Sequence, residues 1–356
     1  MRRALALAQR AINHATPNPR VGCVIARDGR ILGEGFTQRP GFNHAEIEAL
    51  LDARRNGNEL HGATAYVSLE PCSHFGRTPP CVTALIEARL ARVVAAVEDP
   101  NPEVAGRGLE ALRAGGIDVR CGLLAAEATE MNIGFFSRMT RGRPWVRMKI
   151  AASLDGRTAL FSGVSQWITS TAARADGHAW RARACAILTG IGTIAADNPQ
   201  MNVRLVPTSR QPLKVLVDSR LDVDPQAKLF DGNPVLVACA IDDPTRAARL
   251  RHQGADIVVL PGDRGKVDLA ALVRELARRG VNELHVEAGF KLNGSLVREG
   301  CVDELLVYLA PMLIGEATGM VNLPALSDLA NAQRLRFRDV TQVGDDVRVL
   351  ARWGQS

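Results

Sequence analysis

The chain has 356 residues, of which 46% are apolar and 23% are charged. This length exceeds the usual size of one hydrophobic core, so the sequence predicts two domains, and its ordinary composition excludes the disordered and fibrous classes. The net charge is +6, but only 4% of the residues are aromatic and the arginines are scattered. We therefore expect an anionic small molecule as the ligand and no binding of nucleic acid.

The N-terminal segment predicts a helix and not a membrane anchor. Residues 1–13 alternate apolar residues with three arginines, and no apolar stretch of the chain approaches the roughly 20 residues that span a bilayer. No signal-type cleavage pattern follows, so we expect a cytoplasmic location. Seven unevenly spaced cysteines do not resemble a disulfide framework. Five of them are expected to be core thiols: Cys23, Cys121, Cys185, Cys239 and Cys301.

The first half alternates helices and strands, beginning with a hairpin around Asp28-Gly29. The predicted elements are strands 21–26 and 30–35, helix 44–55, strand 63–69, helix 81–89, strand 92–97, helix 109–114 and strand 117–120. This alternation is typical of an α/β sheet that is covered by helices.

A basic stretch without apolar periodicity, residues 138–144, predicts a linker. We therefore predict one domain over residues 1–140 and a second over residues 145–356. The second half alternates again, which predicts a second α/β domain. Its predicted elements are strand 145–151, helix 172–183, strands 185–189, 213–218 and 234–240, helix 268–279, strand 283–287, a helix after residue 289, and strand 304–309.

One group of residues in the first half has the spacing of a zinc deaminase. His44-Ala45-Glu46 opens a helix, and Pro71-Cys72 follows a strand, with eight residues between Cys72 and Cys81 where the common pattern has two. Three ligands leave one tetrahedral position for a water molecule that the metal makes more acidic. Glu46 lies two residues beyond His44, so it can stay off the metal and carry a proton from the water to the departing amine.

Other interpretations of these residues remain open. Singly, His44 is expected to be a helix cap or a core histidine, and Glu46 a solvated helix residue. Cys72 and Cys81 could also form a structural zinc site with His74 as a further ligand. That alternative leaves His44 and the Pro-Cys junction after a strand without an explanation.

Two glycine-rich turns in the second half suit a nucleotide. Residues 190–195 follow a strand and superficially match the G-x-G-x-x-A fingerprint, but Asp197-Asn198-Pro199 interrupts the helix that a Rossmann site needs. Backbone amides in such a turn can still bind phosphate, and Gly289 with Gly294 forms a second turn between a strand and a helix. Plain turn geometry remains the alternative for these glycines.

Several longer strings resemble the bifunctional deaminase/reductase family of riboflavin biosynthesis, and the resemblance covers nearly the whole chain. In the first half these are residues 17–19 (PNP), 21–24 (VGCV), 44–46 (HAE), 69–74 (LEPCSH), 76–81 (GRTPPC) and 99–102 (DPNP). In the second half they are residues 149–157 (KIAASLDGR), 165–169 (SQWIT), 197–199 (DNP), 217–219 (VDS) and 286–289 (VEAG).

The resemblance implies a fold and a reaction for each domain. It implies a cytidine-deaminase-like three-layer αβα domain followed by a dihydrofolate-reductase-like α/β domain, in a homo-oligomer. The first would use zinc to deaminate 2,5-diamino-6-(5-phosphoribosylamino)pyrimidin-4(3H)-one by hydrolysis. The second would use NADPH to reduce the ribosyl group of 5-amino-6-(5-phosphoribosylamino)uracil to a ribityl group.

The resemblance also implies roles for individual residues. His44, Cys72 and Cys81 would hold zinc, and Glu46 would move the proton. The residues expected to contact NADPH are Ala152, Trp167, Thr193, Asp197, Ser219, Gly289, Phe290, Lys291, Leu292, Asn293, Gly294 and Ser295. The residues expected to contact substrate are Asn18, Ser165, Arg181, Met201, Arg204 and Glu287.

Some features depart from the family or leave its roles open. Thr37 stands where many members have a histidine, and Phe290-Lys291 replaces a small or proline-type residue. Arg181 and Arg204 suit a ribose phosphate because one guanidinium binds two oxygens; on charge alone they are surface arginines. Two other functions remain open, a deaminase that acts on a base in nucleic acid and a zinc-stabilised ligand-binding protein without catalysis.

Overall fold

A computed structural model describes residues 1–74 and 79–354 of the chain. The contacts between residues divide the protein into two compact units, Met1–Arg143 and Pro144–Ser356. Among the helices of the described residues, none is both long enough and apolar enough to cross a membrane.

The first unit is built on a five-stranded sheet with the strand order β2-β1-β3-β4-β5. Its strands are β1 Gly22–Arg27, β2 Arg30–Phe36, β3 Thr64–Val67, β4 Arg92–Ala95 and β5 Asp118–Cys121. Strand β1 pairs antiparallel with β2 and β3, whereas β3, β4 and β5 are parallel. The helices are α1 Arg2–Arg10, α2 Ala45–Arg55, α3 Cys81–Glu87, α4 Arg107–Ala114, α5 Ala125–Met131 and α6 Ile133–Arg141.

Glycines allow two close local features in the first unit: the turn between β1 and β2, and the contact of α2 with β2. Asp28 and Gly29 turn the chain between β1 and β2 with φ of 50° and 77°, and both positive values suit a tight hairpin turn. The predicted hairpin is therefore confirmed. Helix α2 then lies directly against β2, because a Cβ on Gly35 would approach the carbonyl oxygen of Ala45 to 2.3 Å.

The second unit contains a nine-stranded sheet with the order β11-β10-β9-β8-β12-β6-β13-β16-β15. Its strands are β6 Trp145–Ser153, β8 Ala186–Gly190, β9 Leu213–Val217, β10 Val235–Cys239, β11 Ala255–Val259, β12 Glu283–Val286, β13 Glu304–Ala310, β15 Leu335–Val343 and β16 Asp346–Trp353. Strands β7 Arg157–Ala159 and β14 Thr318–Gly319 form a separate pair. The helices are α7 Thr171–Arg183, α8 Ile191–Asp197, α9 Pro244–His252, α10 Leu269–Arg278 and α11 Phe290–Arg298, with 3-10 turns at Asp263–Gly265 and Leu329–Asn331.

Seven neighbouring strands of this sheet, from β11 to β13, are parallel, and β16 and β15 add antiparallel pairs at one end. The residues of β8 and β10 are almost entirely apolar and buried, as expected for strands covered on both faces. Strand β12 is equally buried but carries Glu283 and His285. The carboxyl ends of parallel strands lie at one edge of a sheet. Residues after β6, β8, β9 and β12 therefore share one rim, where ligands of open α/β sheets bind.

Two sequence-based expectations about local structure are wrong, and a third is confirmed. Residues 138–141 are the last turn of α6, so the predicted linker is largely helical; the apolar stripe of α6 was hidden by its arginines. Cys121 lies in the edge strand β5 and is exposed, so it is not a core thiol. The interruption after residue 197 is confirmed, because Asn198 ends α8 with a φ of 41° after only seven helical residues.

Candidate active sites

Three metal-binding side chains from separate parts of the first unit meet near the carboxyl end of β3. His44 is the N-cap residue of α2, Cys72 follows β3, and Cys81 is the first residue of α3. The His44 Nδ1 atom lies 3.5 Å from the Cys72 sulfur and 3.4 Å from the Cys81 sulfur. All three donor atoms lie within 4.8 Å of one another.

The spacing of these atoms fits zinc. Zn–S bonds of about 2.3 Å and Zn–N bonds of about 2.0 Å at a tetrahedral angle separate nitrogen from sulfur by roughly 3.5 Å. Within residues 1–74 and 79–354 the group contains only His44, Cys72 and Cys81, and His74 is exposed outside it. The arrangement therefore favours a three-ligand site over a structural site that includes His74. Gly76, Arg77 and Thr78 of the predicted motif lie outside the described residues.

The two thiols share their protons unequally. A hydrogen bond from Cys81 and the neighbouring His44 lower the pKa of Cys72 to about 4, although burial opposes this. The hydrogen bond to Cys72, together with burial and the charge of Glu46, raises the pKa of Cys81. One thiolate thus forms readily, and a bound metal would favour loss of the second proton, because thiolates are the ligands of zinc.

Glu46 lies in the first turn of α2 and is only 3% exposed. Burial raises the pKa of this carboxyl to about 7, and the charge of Cys72 acts in the same direction. The positive charge of a metal at the three donors would lower that pKa again. The structure thus provides an unligated carboxyl beside the donor group, which is the chemistry that proton transfer to a leaving amine needs.

Glu70 organises the loop on the other side of Cys72. Its buried carboxylate accepts hydrogen bonds from the backbone N–H groups of Asp99 (3.0 Å), Gly106 (2.9 Å), Gly108 (2.8 Å) and Leu109 (3.2 Å). These bonds hold the segment between β4 and α4 against the chain that carries Cys72. Glu70 is therefore a structural partner of the site.

Asp99 is a buried carboxyl to which the sequence analysis gave no role. It is 8% exposed, and burial raises its pKa to about 7, with the charges of Glu70 and Cys72 adding to the effect. The DPNP string contained this residue, but the string gave no sign that it approaches Cys72.

Thr37 and Asn18 lie on the chain that flanks β1. The Thr37 hydroxyl accepts a hydrogen bond of 3.1 Å from the Val21 N–H, so it is used by the backbone, and the Thr37 carbonyl oxygen lies 3.1 Å from His14 Nε2. Asn18 is half-buried in the loop before β1. Contact of Asn18 with substrate stays a prediction.

In the second unit, Arg181 of α7 forms a two-pronged ion pair with Glu287, the residue after β12. The two contacts measure 2.5 and 2.9 Å, and the side chains are 13% and 15% exposed. Burial by itself raises the pKa of Glu287, but the Arg181 guanidinium outweighs it and holds that pKa well below its usual range. The Arg181 guanidinium, which was expected to bind a phosphate, is therefore bonded to Glu287.

Arg204 has a more accessible guanidinium. It is exposed and donates to the side-chain oxygen of Asn202 at 3.1 Å. Its backbone N–H donates to His178 Nδ1 at 3.1 Å, which requires the neutral form of that ring at Nδ1. Of the two arginines, Arg204 is thus the better placed to receive a phosphate from solvent.

His178 makes the stability of the second unit sensitive to acid. Burial and the charges of Arg181 and Arg204 lower the pKa of His178 to about 4. A histidine in the unfolded chain has a pKa of about 6.5. The stability that the folded protein gains by keeping His178 neutral is complete above pH 6.5. It is lost as the pH falls toward 4, because in that range only the unfolded chain takes up the proton. We expect the free energy of unfolding to fall by about 1–2 kcal/mol between pH 7 and pH 5 from this group, with an allowance for solvent screening.

Tryptophan fluorescence during urea unfolding measures this directly, because all four tryptophans lie in the second unit. His178→Asn keeps an acceptor for Arg204 and removes the titration. A variant with the same pH dependence as the wild type would contradict the assignment.

Lys149 is a functional candidate that the sequence analysis missed. It lies on β6, mostly buried, where burial lowers its pKa, the charge of Glu287 opposes this and that of Arg181 adds to it. A signal was available, because the chain has five lysines among 44 basic residues. Two lysines lie within buried strands: Lys214 is paired with Asp231 at 2.5 Å, whereas Lys149 lies near Glu287, whose carboxylate is bonded to Arg181. Unlike arginine, a lysine can release its proton.

The two glycine-rich turns come together at the rim of the sheet. A Cβ on Gly190 would lie 2.8 Å from the Leu292 side chain, and a Cβ on Gly289 would lie 3.8 Å from the Thr193 hydroxyl. Among the described residues, two buried oxygens nearby have no hydrogen-bond partner, Thr189 Oγ1 at the end of β8 and Asn293 Oδ1 in α11. Close backbones and unsatisfied polar atoms fit a nucleotide that enters between these turns.

The other predicted nucleotide contacts lie at different places on the unit. Ala152 is buried near the end of β6, Ser219 follows β9 and accepts from the Val267 N–H at 3.3 Å, and the Trp167 ring is 64% exposed. Asp197 is exposed at the end of α8. Phe290 and Lys291 begin α11. Further along α11, the Asn293 side chain donates a hydrogen bond to the carbonyl oxygen of Met320, and Gly294 packs on Asn322.

Remaining predicted residues are less informative. Ser295 accepts from Arg298, Met201 is buried with a φ of 50°, and Ser165 is half-buried in the loop before α7. The described contacts do not connect these residues to the cluster of Lys149, Arg181 and Glu287.

Comparison with known proteins assigns a family to each unit. The cytidine and deoxycytidylate deaminase zinc-binding region matches residues 1–97, and the RibD C-terminal domain matches residues 144–349. The Escherichia coli (strain K12) riboflavin biosynthesis protein RibD is 46% identical over 98% of this chain and 96% of its own length. The chain belongs to the RibD family.

Solved structures of RibD proteins agree with the fold. Acinetobacter baumannii RibD superimposes with a TM-score of 0.90 at 39% identity and covers 99% of this chain and 98% of its own. A deaminase/reductase from Thermotoga maritima superimposes with a TM-score of 0.88 at 31% identity over 99% and 97% of the two chains. The predicted fold class is confirmed: a cytidine-deaminase-like α/β domain precedes a RibD reductase domain. As in the RibD family, the cofactors are zinc for the first domain and NADPH for the second.

Proposed function

We propose that this RibD-family protein carries out two consecutive steps of riboflavin biosynthesis. The first domain deaminates 2,5-diamino-6-(5-phosphoribosylamino)pyrimidin-4(3H)-one by hydrolysis. The second reduces the ribosyl group of the product, 5-amino-6-(5-phosphoribosylamino)uracil, to ribityl with NADPH. The observation that carries the proposal is the three-donor group of His44, Cys72 and Cys81 beside the unligated Glu46.

In the deamination, His44, Cys72 and Cys81 would hold zinc, which would supply a Lewis acid to activate water for attack on the ring carbon that bears the 2-amino group. Glu46 accepts a proton from the attacking water and gives it to the departing nitrogen, so that ammonia leaves. Burial of Glu46 excludes competing solvent from this transfer. Asn18 binds the pyrimidine.

In the reduction, bound NADPH would supply the hydride for C1′ of the ribose. The bond between C1′ and the ring oxygen breaks, the electron pair stays on that oxygen, and the Lys149 ammonium donates the proton that neutralises it. Arg204 binds the phosphate, and Arg181 holds Glu287 ionised against the sugar hydroxyls. Ser165 and Met201 complete the substrate pocket.

The NADPH contacts follow the rim of the sheet. Ala152, Trp167 and Ser219 would contact NADPH. Thr193, Asp197 and residues 289–295 would contact it at the two glycine-rich turns. The close approach of Gly190 to Leu292 and of Gly289 to Thr193 supports this placement.

Product analysis with purified protein tests the proposal. Without NADPH we expect one ammonia per pyrimidine and accumulation of the aminouracil; with NADPH we expect the ribityl product and one NADPH oxidised. Ammonia release that requires NADPH, or activity on RNA or DNA in its place, would contradict the two-step assignment.

We also propose a cytoplasmic homo-oligomer. None of the seven cysteines, all of which lie within the described residues, forms a disulfide, which suits a reducing compartment. Strand β15 lies at the edge of the large sheet and exposes Phe337 by 73% and Val340 by 57%, and an apolar edge of this kind is normally covered. Light scattering should give a multiple of the 38.3 kDa chain mass, and a monomer would contradict the proposal.

A further inference from the structure

Helix α7 is held to the sheet of the second unit by partly buried polar contacts. Asp176, in the middle of α7, accepts a hydrogen bond of 2.6 Å from the hydroxyl of Tyr308 on β13. Arg348 on β16 donates to both oxygens of Asp176 at 3.1 Å and to Asp339 at 3.0 Å. The Tyr308 hydroxyl is thus fixed between the helix and the sheet.

The ring of Tyr308 faces the proposed proton donor. In the parallel pairing of β6 with β13, Lys149 lies opposite Leu306, so Tyr308, two residues further along, points to the same face of the sheet. The Lys149 Nζ atom lies 5.9 Å from the centroid of the Tyr308 ring, and the tyrosine is 1% exposed. A cation near the face of a buried ring is attracted to it, and the attraction grows as water is excluded.

Other charges around Lys149 partly cancel. Glu287 attracts the ammonium, but its carboxylate is bonded to Arg181, which repels it. Burial therefore disfavours the charged lysine without a full ion pair to offset it. The ionisable or charged groups on the elements packed around Lys149 are Arg147 on β6, Glu283, His285 and Glu287 on or after β12, Glu304 and Tyr308 on β13, Asp346, Arg348 and Arg352 on β16, and Arg174, Asp176, His178, Arg181 and Arg183 on α7.

We infer that Tyr308, held in place by Asp176, is a positioning residue for the reductase step: its ring keeps the Lys149 ammonium charged and directed at the substrate. The inference rests on the proposed function, in which Lys149 donates a proton to the opening ribose. Asp176 takes part by fixing the ring, and neither residue needs to touch substrate. Tyr308 is one of only two tyrosines in the chain, which provides a matched control.

Nuclear magnetic resonance on protein labelled with carbon-13 only in lysine measures the effect without turnover. The chain has five lysines, so the spectrum is simple, and the Lys149 signal is assigned by its loss in Lys149→Arg. We expect the pKa of Lys149 to fall by about one unit in Tyr308→Leu and by about half a unit in Tyr308→Phe. The signal of buried Lys214 should not change in the Tyr308 variants. The pKa of Lys149 should not change in the control Tyr66→Phe.

Kinetics on the deaminated substrate supply the second readout. We expect Tyr308→Leu to lower kcat about tenfold with KM nearly unchanged and to move the alkaline limit of the reductase to lower pH, whereas Tyr308→Phe recovers most of the rate. Folded variants that keep the wild-type pKa of Lys149 and the wild-type pH profile would overturn the inference. If Tyr308→Leu does not fold, Tyr308→Phe decides by the same criteria. Full reduction by Lys149→Met would instead remove Lys149 from the proposed mechanism, and the inference about Tyr308 with it; failure of the proposed function would show as no NADPH-dependent reduction by the wild type.

Discussion

Replacement of Glu46 by glutamine is expected to lower ammonia release from the diaminopyrimidine by about 10²–10⁴-fold, the usual contribution of a positioned proton-transfer group. The amide has nearly the same shape but cannot accept and return a proton. Because burial disfavours the charged carboxylate, the neutral amide should not destabilise the domain. Zinc content should stay at one per chain, since Glu46 lies outside the three-donor group.

Glu48→Gln is the matched control for Glu46→Gln. Glu48 lies on the same helix, accepts a hydrogen bond of 2.9 Å from Asn43 and is outside the three-donor group. The Glu48→Gln protein should release ammonia at nearly the wild-type rate. A Glu46→Gln protein that deaminates normally, or that loses zinc, would show that the carboxylate has a different role.

Replacement of Lys149 by methionine is expected to lower the reduction of the deaminated substrate by about 10²–10⁴-fold while ammonia release is unchanged. Methionine keeps the length of the side chain and removes the proton. Lys149→Arg keeps the positive charge but binds its proton too tightly to donate it, so it should also be slow. The measurement is NADPH oxidation with supplied aminouracil, beside ammonia release from the pyrimidine.

Lys228→Met is the control for this substitution, because Lys228 is exposed in the same unit. The Lys228→Met protein should reduce the deaminated substrate at the wild-type rate. NADPH should still bind to Lys149→Met, since the turns at Gly190 and Gly289 are untouched. A Lys149→Met protein with normal reduction would remove Lys149 from the mechanism.

The three-donor group could be predicted from the sequence, because the residues that form it are specified locally. His44 and Glu46 are two residues apart, and Cys72 follows a strand end directly, so residue type and spacing specify the donors. Asp99 could not be predicted in the same way. Its approach to Cys72 depends on the loop after β4, which Glu70 folds back through four backbone hydrogen bonds.

The reductase site was harder to predict because its residues come from distant strands. Lys149 and Glu287 become neighbours only through the parallel pairing of β6 with β12, and no local pattern specifies that pairing. The ion pair of Arg181 with Glu287 likewise depends on where α7 lies. Strand β15 escaped prediction since most of its residues are exposed, and the arginines of α6 concealed its apolar stripe.

The central claim is that one chain holds two separate sites that act in sequence, and a mixing assay tests it most directly. With pyrimidine and NADPH, Glu46→Gln alone should yield almost no product, and Lys149→Met alone should stop at the aminouracil with ammonia released. An equal mixture of the two proteins should restore the ribityl product. Loss of both steps in either variant alone, or a mixture that stays inactive, would contradict the account.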